Sequence, residues 1–255
     1  MSNFLKSENK VRFNAKIKNY PDGSSKLTVF NKPVYILPGY EQHNYTERER
    51  PEKYNTDGES RIDNLIRSKN KVFDIAFMND FQYFVTITLD KEKIDRYDIS
   101  VIKKAIRKFL NNQANRKGLV YLILPEFHKD GAIHFHGLIK GDKLNFTDSG
   151  KQTKDGKIIY NWLDWKYGFS TAIPLTGDTS FVAKYITKYV TKDFKKIFGQ
   201  YYLAGGNGLR RDVPFELFNT DFDCYSCQEI SIQNTNLKVK YPEDNKQIDN
   251  LLEVL

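Results

Sequence analysis

Residues 125–137 read P-E-F-H-K-D-G-A-I-H-F-H-G, and this short stretch restricts the fold more than any other. His134 and His136 are separated by the apolar Phe135. Strand side chains alternate between faces, so two histidines at this spacing stand on one face. Gly131, in the K-D-G turn before them, supplies the tight reversal that a hairpin needs. The apolar run L-V-Y-L-I-L-P-E, Leu119 to Glu126, then returns alongside and brings Glu126 beside the histidines. Two imidazoles and a carboxylate on neighbouring strands make a three-ligand divalent metal site with positions open for water or substrate. An H-x-H alone is often ordinary cross-strand surface. Here it comes with a tight turn, a carboxylate one strand back, and a chain of only four histidines, so chance is a poor account of it.

A second feature lies about fifty residues downstream, where the chain reads D-T-S-F-V-A-K-Y-I-T-K-Y-V-T-K-D-F-K-K from Asp178. Asp178, Thr179 or Ser180 is a suitable helix cap. Phe181, Tyr185 and Tyr189 recur every fourth residue, as do Lys184, Lys188 and Lys192. Residues four apart stack on one helical face, so a tyrosine ridge runs beside a lysine ridge. The bland alternative is an amphipathic helix with its aromatics inward and its lysines solvated. Val182, Ile186, Thr187, Val190 and Thr191 are indifferent helix formers, so tertiary packing has to hold this segment.

Taken together, these features resemble the HUH endonucleases, which include the rolling-circle replication initiators of plasmids, single-stranded DNA phages and small circular DNA viruses. The resemblance rests on Phe84-Val85-Thr86-Ile87-Thr88-Leu89 as the first hydrophobic strand and on His134-Phe135-His136 as the metal motif. The nucleophile motif Tyr-x-x-Lys occurs twice, at Tyr185-Lys188 and Tyr189-Lys192. It spans roughly residues 79 to 195. The tyrosines follow the histidines, an order that favours initiators or single-tyrosine transposases over the circularly permuted relaxases. No G-x-x-x-x-G-K-[ST] occurs, so unwinding falls to a separate helicase.

The resemblance implies an α+β fold, a central antiparallel sheet with flanking helices. It implies that Glu126, His134 and His136 hold Mn²⁺ or Mg²⁺, with the imidazoles tilting affinity away from Mg²⁺. Tyr185 is expected as the primary nucleophile, with Tyr189 as second nucleophile or support, and Lys188 and Lys192 as catalytic partners one turn away. A phenol of pKa near 10 attacks poorly at neutral pH without such help. The implied reaction is nicking of single-stranded DNA at an origin or origin hairpin, giving a 5′-phosphotyrosine and a free 3′-hydroxyl for a polymerase, and the reverse joining step. Three readings stay open beside it: a single-tyrosine transposase, a DNA-binding protein without catalysis, and a metallohydrolase completed by further ligands. His128, two residues past Glu126, is a further candidate ligand.

Charge agrees with a nucleic-acid partner. The net charge is +8, but the eight acidic and three basic residues from Pro214 onward leave that segment at −5 and the preceding residues at +13. A basic body binds phosphates with a salt-sensitive contribution to affinity. From Lys184 to Arg211 there are seven Lys or Arg against one Asp. Lys184, Lys195, Lys196, Arg210 and Arg211 are therefore expected to contact DNA. No apolar run approaches membrane length, no secretory signal is visible, and two cysteines, Cys224 and Cys227, suit a reducing cytoplasm better than a disulfide scaffold. The C-x-x-C spacing lacks a second pair to complete a zinc site.

The expected organisation is an N-terminal elaboration over 1–78, a nuclease core over 79–213 and an acidic extension over 214–255. The elaboration comprises a hairpin around Tyr20-Pro21-Asp22-Gly23, a charged loop from Gly39 to Ser60, and an amphipathic helix over Arg61 to Asn79. The core is expected as strand 81–89, helix 98–115, strand 119–126 and strand 132–140. Ile102, Ile106, Phe109 and Leu110 form the buried stripe of its helix, opposite a basic face. Thr147 to Gly156 reads as a flexible loop. Trp162, Trp165, Tyr167 and Phe169 are candidates either for the core or for stacking on unpaired bases.

Overall fold

The computed structural model describes residues 11–36, 62–176, 179–191, 196–221, 227–231 and 238–242. The described residues fall into two compact units, one formed by residues 11–36 with those from Val213 onward, the other by 62–212.

In the first unit, β1 (Val11–Asn19) and β2 (Ser25–Ile36) form the expected hairpin. Gly23 takes a φ of +85° at its turn, and Asp22 accepts from the Ser24 N–H at 3.0 Å. Alternation buries Ala15 and Ile17 on one side of β1.

The second unit opens with α1 (Ile62–Met78), followed by β3 (Tyr83–Leu89) and α2 (Ile99–Lys117). Asp98 caps α2, accepting from the N–H groups of Ser100 at 2.8 Å and Val101 at 3.0 Å, and Gly118 ends it at φ +67°. β4 (Val120–Phe127) and β5 (Ile133–Lys140) are the expected hairpin, with Gly131 at φ +84° in its turn. Then come β6 (Phe146–Gln152), β7 (Ile158–Trp162), β8 (Gly168–Pro174), α3 (Thr179–Ile186), α4 (Lys188–Thr191), a single 3-10 turn over Ile197–Gly199, and β9 (Leu203–Gly205). The seven strands form one antiparallel sheet in the order β6-β7-β8-β3-β5-β4-β9. The architecture is α+β, as the sequence predicts. Returning to the first unit, β10 (Phe215–Phe218) pairs with β1, and β11 (Cys227–Ser231) pairs with β12 (Lys238–Pro242).

The two faces of the large sheet do different jobs. Val85, Ile87, Ile123, Phe135 and Ile139 point to the α2 face and meet Ile102, Ile106, Phe109 and Leu110. Each such apolar side chain stabilises by about 2 kcal/mol when fully buried. Trp162 and Trp165 belong to this core, each edge-on to Phe109 at 5.0 Å, which excludes both from base stacking. The other face carries the histidines and is partly covered by α1, which packs on α3.

Two expectations need correction. Thr147 to Gly156 is not one loop: β6 occupies its first half, and only the turn to β7 is irregular. β6 is an edge strand with polar residues on both faces, so it carries no alternating signal. Two residues, Ser149 and Gly150, bulge from it between Asp148 and Lys151. The tyrosine helix is also not continuous. It breaks at the buried Thr187, whose hydroxyl donates to the Lys184 carbonyl at 2.6 Å and competes with the helical ladder.

Candidate metal and tyrosine site

Strand register builds the metal cluster. Glu126 stands opposite His134 across β4 and β5, while Thr88 and Thr86 of β3 stand opposite His134 and His136 on the other side. All these residues share the face away from α2. The Nε2 atoms of His134 and His136 are 3.0 Å apart. The Glu126 Oε2 atom lies 3.1 Å from the first and 3.0 Å from the second. Glu126 is 2% exposed. A carboxylate so buried requires compensation by charge or hydrogen bonds. Three lone-pair donors converging on one point fit a divalent cation, and two nitrogens with one oxygen are a donor set that transition ions favour.

Gly137 lets the strand come this close. A Cβ there would lie 2.3 Å from Ile123 Cδ1 and 2.7 Å from the Leu122 carbonyl oxygen. The orientation of His136 is set from β3: its Nδ1 meets the Thr86 hydroxyl at 3.2 Å, leaving Nε2 turned to the cluster. His128 instead turns its Nδ1 to Asp130, at 3.1 Å, in the hairpin turn.

The tyrosines stand over this cluster. Ala183, Ile186 and Val190 fill the inward side of α3 and α4, so Tyr185 and Tyr189 are left to face the histidines. The Tyr189 ring stacks on His136 with centroids 4.0 Å apart and planes at 20°. The Tyr189 hydroxyl donates to Tyr185 Oη at 3.0 Å. Burial, followed by this donated hydrogen bond, holds the Tyr189 phenol well above its ordinary value. It therefore stays a donor at neutral pH. The Lys188 ammonium lies 5.0 Å from the centre of the Tyr185 ring. Phe84 closes the group, edge-on to Tyr185 at 5.5 Å and stacked towards His136 at 6.0 Å. Beside Tyr185 a cavity of about 520 Å³ opens, with Phe84, Ile173, Leu175 and Val182 as its apolar wall and Asp155 and Lys157 at its polar rim.

The other expected residues divide. Lys184 is exposed on α3 near the tyrosines. Lys196 and Arg211 lie away from them, lining a second cavity with Tyr121, which points to the α2 face. The Arg210 backbone is fixed by Asn79, and its guanidinium approaches Asp80 at 3.6 Å. Lys192 and Lys195 lie outside the described residues, as do Asp178 and Cys224. Phe169 had only a general aromatic signal in sequence. It is 71% exposed and stands opposite Thr88, the residue opposite His134 on the next strand. Only the register reveals that placement.

Among the described residues no helix is long and apolar enough to cross a membrane. No curated protein and no solved structure matches the chain. Residues 82–194 do match a family model, that of the ORF2 class of replication-associated protein. The matched stretch contains the buried glutamate, both histidines and both tyrosines, and this segment of the chain belongs to that family of replication-associated, Rep-type proteins.

Proposed function

We propose that the protein initiates rolling-circle replication by nicking single-stranded DNA with Tyr185 as nucleophile, and rejoins ends by the reverse step. The observation that carries this reading is the contact chain from Tyr185 through the Tyr189 hydroxyl to the ring stacked on His136. It sets a phenol beside a group of ligands suited to a divalent ion.

In the forward step Tyr185 Oη forms a bond to the scissile phosphorus and the P–O3′ bond breaks. The phenolic proton ends, in net terms, on the departing 3′-oxygen, leaving a 5′-phosphotyrosine and a 3′-hydroxyl. Tyr189 supports charge on Tyr185 Oη by donating its O–H, and it keeps that proton because it is half-buried. Lys188, beside the Tyr185 ring, neutralises charge on phenolate or phosphate. A divalent ion held by Glu126, His134 and His136, Mn²⁺ by preference, would polarise the phosphate and offset charge on its oxygens. Phe169 and the cavity beside Tyr185 suit unpaired bases flanking the cut. Lys184, Lys192, Lys195, Lys196, Arg210 and Arg211 are proposed as phosphate contacts, and helicase and polymerase as partners that extend the freed end.

The test mixes the full chain with single-stranded oligonucleotides from its own genetic neighbourhood and Mn²⁺, then looks on denaturing gels for covalently bound DNA. The expected result is an adduct that disappears with EDTA and in Tyr185→Phe. Tyr189→Phe, which loses one donor to a charged oxygen, should slow adduct formation by about 10- to 100-fold. An adduct that survives in Tyr185→Phe but not in Tyr189→Phe would exchange the two roles. Binding without any adduct under every metal tried would make the protein a non-catalytic DNA binder.

A further inference from the structure

A second cavity, of about 580 Å³, lies at the β4–β9 edge of the sheet, between α2 and the segment leading into β9. Tyr121 is its floor. On β4 this residue and Glu126 differ by an odd number of positions, so they face opposite sides of the sheet. The cavity is therefore separate from the metal and tyrosine site.

Its lining has one electrostatic sign. Arg107, Lys196 and Arg211 contribute to it, and among the described residues no carboxylate does. Arg107 belongs to a ridge of α2 at four-residue spacing, Lys103-Arg107-Asn111, which extends the cationic surface beyond the cavity. The rest of the wall is aromatic and polar. Tyr201 is 6% exposed, and its hydroxyl has no hydrogen-bond partner among the described residues. A buried polar atom left without a partner costs on the order of 1–3 kcal/mol unless a ligand or water meets it. Burial also keeps the Tyr121 and Tyr202 hydroxyls protonated, although the neighbouring cations Arg211, Arg107 and Lys71 pull the other way.

The backbone is shaped around the same space. Gly205 is opposite Tyr121, and a Cβ there would lie 2.6 Å from the Tyr121 hydroxyl, so glycine leaves room for the ring. Phe198, in the 3-10 turn, holds a left-handed φ of 63°, a strained value for a bulky residue. That turn delivers Gly199, Gln200 and Tyr201 to the cavity wall.

We propose that this cavity is a second nucleic-acid contact, holding one nucleotide unit by its phosphate at Arg107, Lys196 and Arg211 and by its base or sugar against the tyrosines. Three cations without a carboxylate select an anion, and the aromatic walls add a preference for one that carries a flat apolar group. The inference stands whether or not Tyr185 cuts DNA. The same unit can arrive within a strand or as a free nucleotide, and the continuous basic ridge of α2 favours the strand.

The experiment irradiates the full chain, in EDTA so that no cleavage occurs, with a single-stranded oligonucleotide carrying 5-iododeoxyuridine or with 5-iododeoxyuridine monophosphate, and maps crosslinked peptides by mass spectrometry. Crosslinks at Tyr121, Tyr201 or Tyr202 are expected with the oligonucleotide; crosslinks from the monophosphate as well would make a free nucleotide an additional occupant. Arg107→Ala should weaken oligonucleotide binding about fivefold at low salt and reduce the salt slope by about 0.7. Tyr201→Phe, which keeps the ring and its packing, should lower the crosslink yield. The proposal is overturned if neither probe marks these tyrosines, or if both variants bind and crosslink like the parent chain.

Discussion

Thr86 touches the metal cluster through its hydroxyl, at His136 Nδ1, and that contact fixes which ring nitrogen is presented. Removing it in Thr86→Val, which keeps the shape of the side chain, should weaken Mn²⁺ binding by about 10- to 100-fold in calorimetric titration. Equal affinity in parent and variant would mean the ring is oriented by Tyr189 stacking alone. Gly137 is a second residue whose role is steric. Gly137→Ala drives a methyl group into Ile123 and the Leu122 carbonyl, and because backbone is one of the two neighbours, rearrangement is expensive. A loss of about 1–3 kcal/mol is expected in denaturant unfolding.

At the scale of elements, α2 and the β4–β5 hairpin are held by carboxylates that accept backbone N–H groups. Asp98 accepts from Val101 and Ser100 at the start of α2, and Asp130 accepts from Ala132 in the hairpin turn. These bonds, led by the Val101 and Ala132 amides respectively, hold both carboxyls below the usual range. A depressed folded value means that the stabilisation is complete above the ordinary carboxylate pKa, about 4, and disappears as pH falls through the folded value. Melting temperatures should drop on acidification below about pH 4, and Asp98→Asn should flatten part of that drop. An unchanged acid profile in the variant would remove the cap from the account. The hairpin, α1 and α2 were legible in sequence because apolar periodicity, Gly131, Asp98 and Gly118 all agree with the tertiary result. β6 was not, since an exposed edge strand needs no apolar face. Nor was the break at Thr187, which depends on a hydroxyl reaching a carbonyl three residues back. The metal ligands and tyrosines were readable as residue types at fixed spacings. The outward position of Phe169 and the partnerless Tyr201 hydroxyl come from strand register and packing between distant segments, which no local pattern encodes.

For the molecule as a whole, cationic contact with phosphate and divalent metal chemistry rest on different residues, and the two should separate experimentally. Chelation by EDTA is expected to abolish covalent adducts while leaving oligonucleotide binding within about twofold, because the phosphate contacts are made by Lys and Arg. The same binding should fall about 20-fold between about 50 and 200 mM salt if three phosphates are engaged, as read by fluorescence anisotropy. A salt-independent affinity would place the interaction on apolar surface instead. The large sheet also has two free margins, β9, which is three residues long, and β6, where Ser149 and Gly150 leave the ladder. A straight outer strand offers its unused amides and carbonyls to a second copy, whereas a bulged one flanked by Asp148 and Lys151 makes a poor template for that pairing. Excising Ser149 and Gly150 should therefore give concentration-dependent self-association in sedimentation velocity, so the two residues that interrupt β6 act to keep copies of this sheet from joining edge to edge.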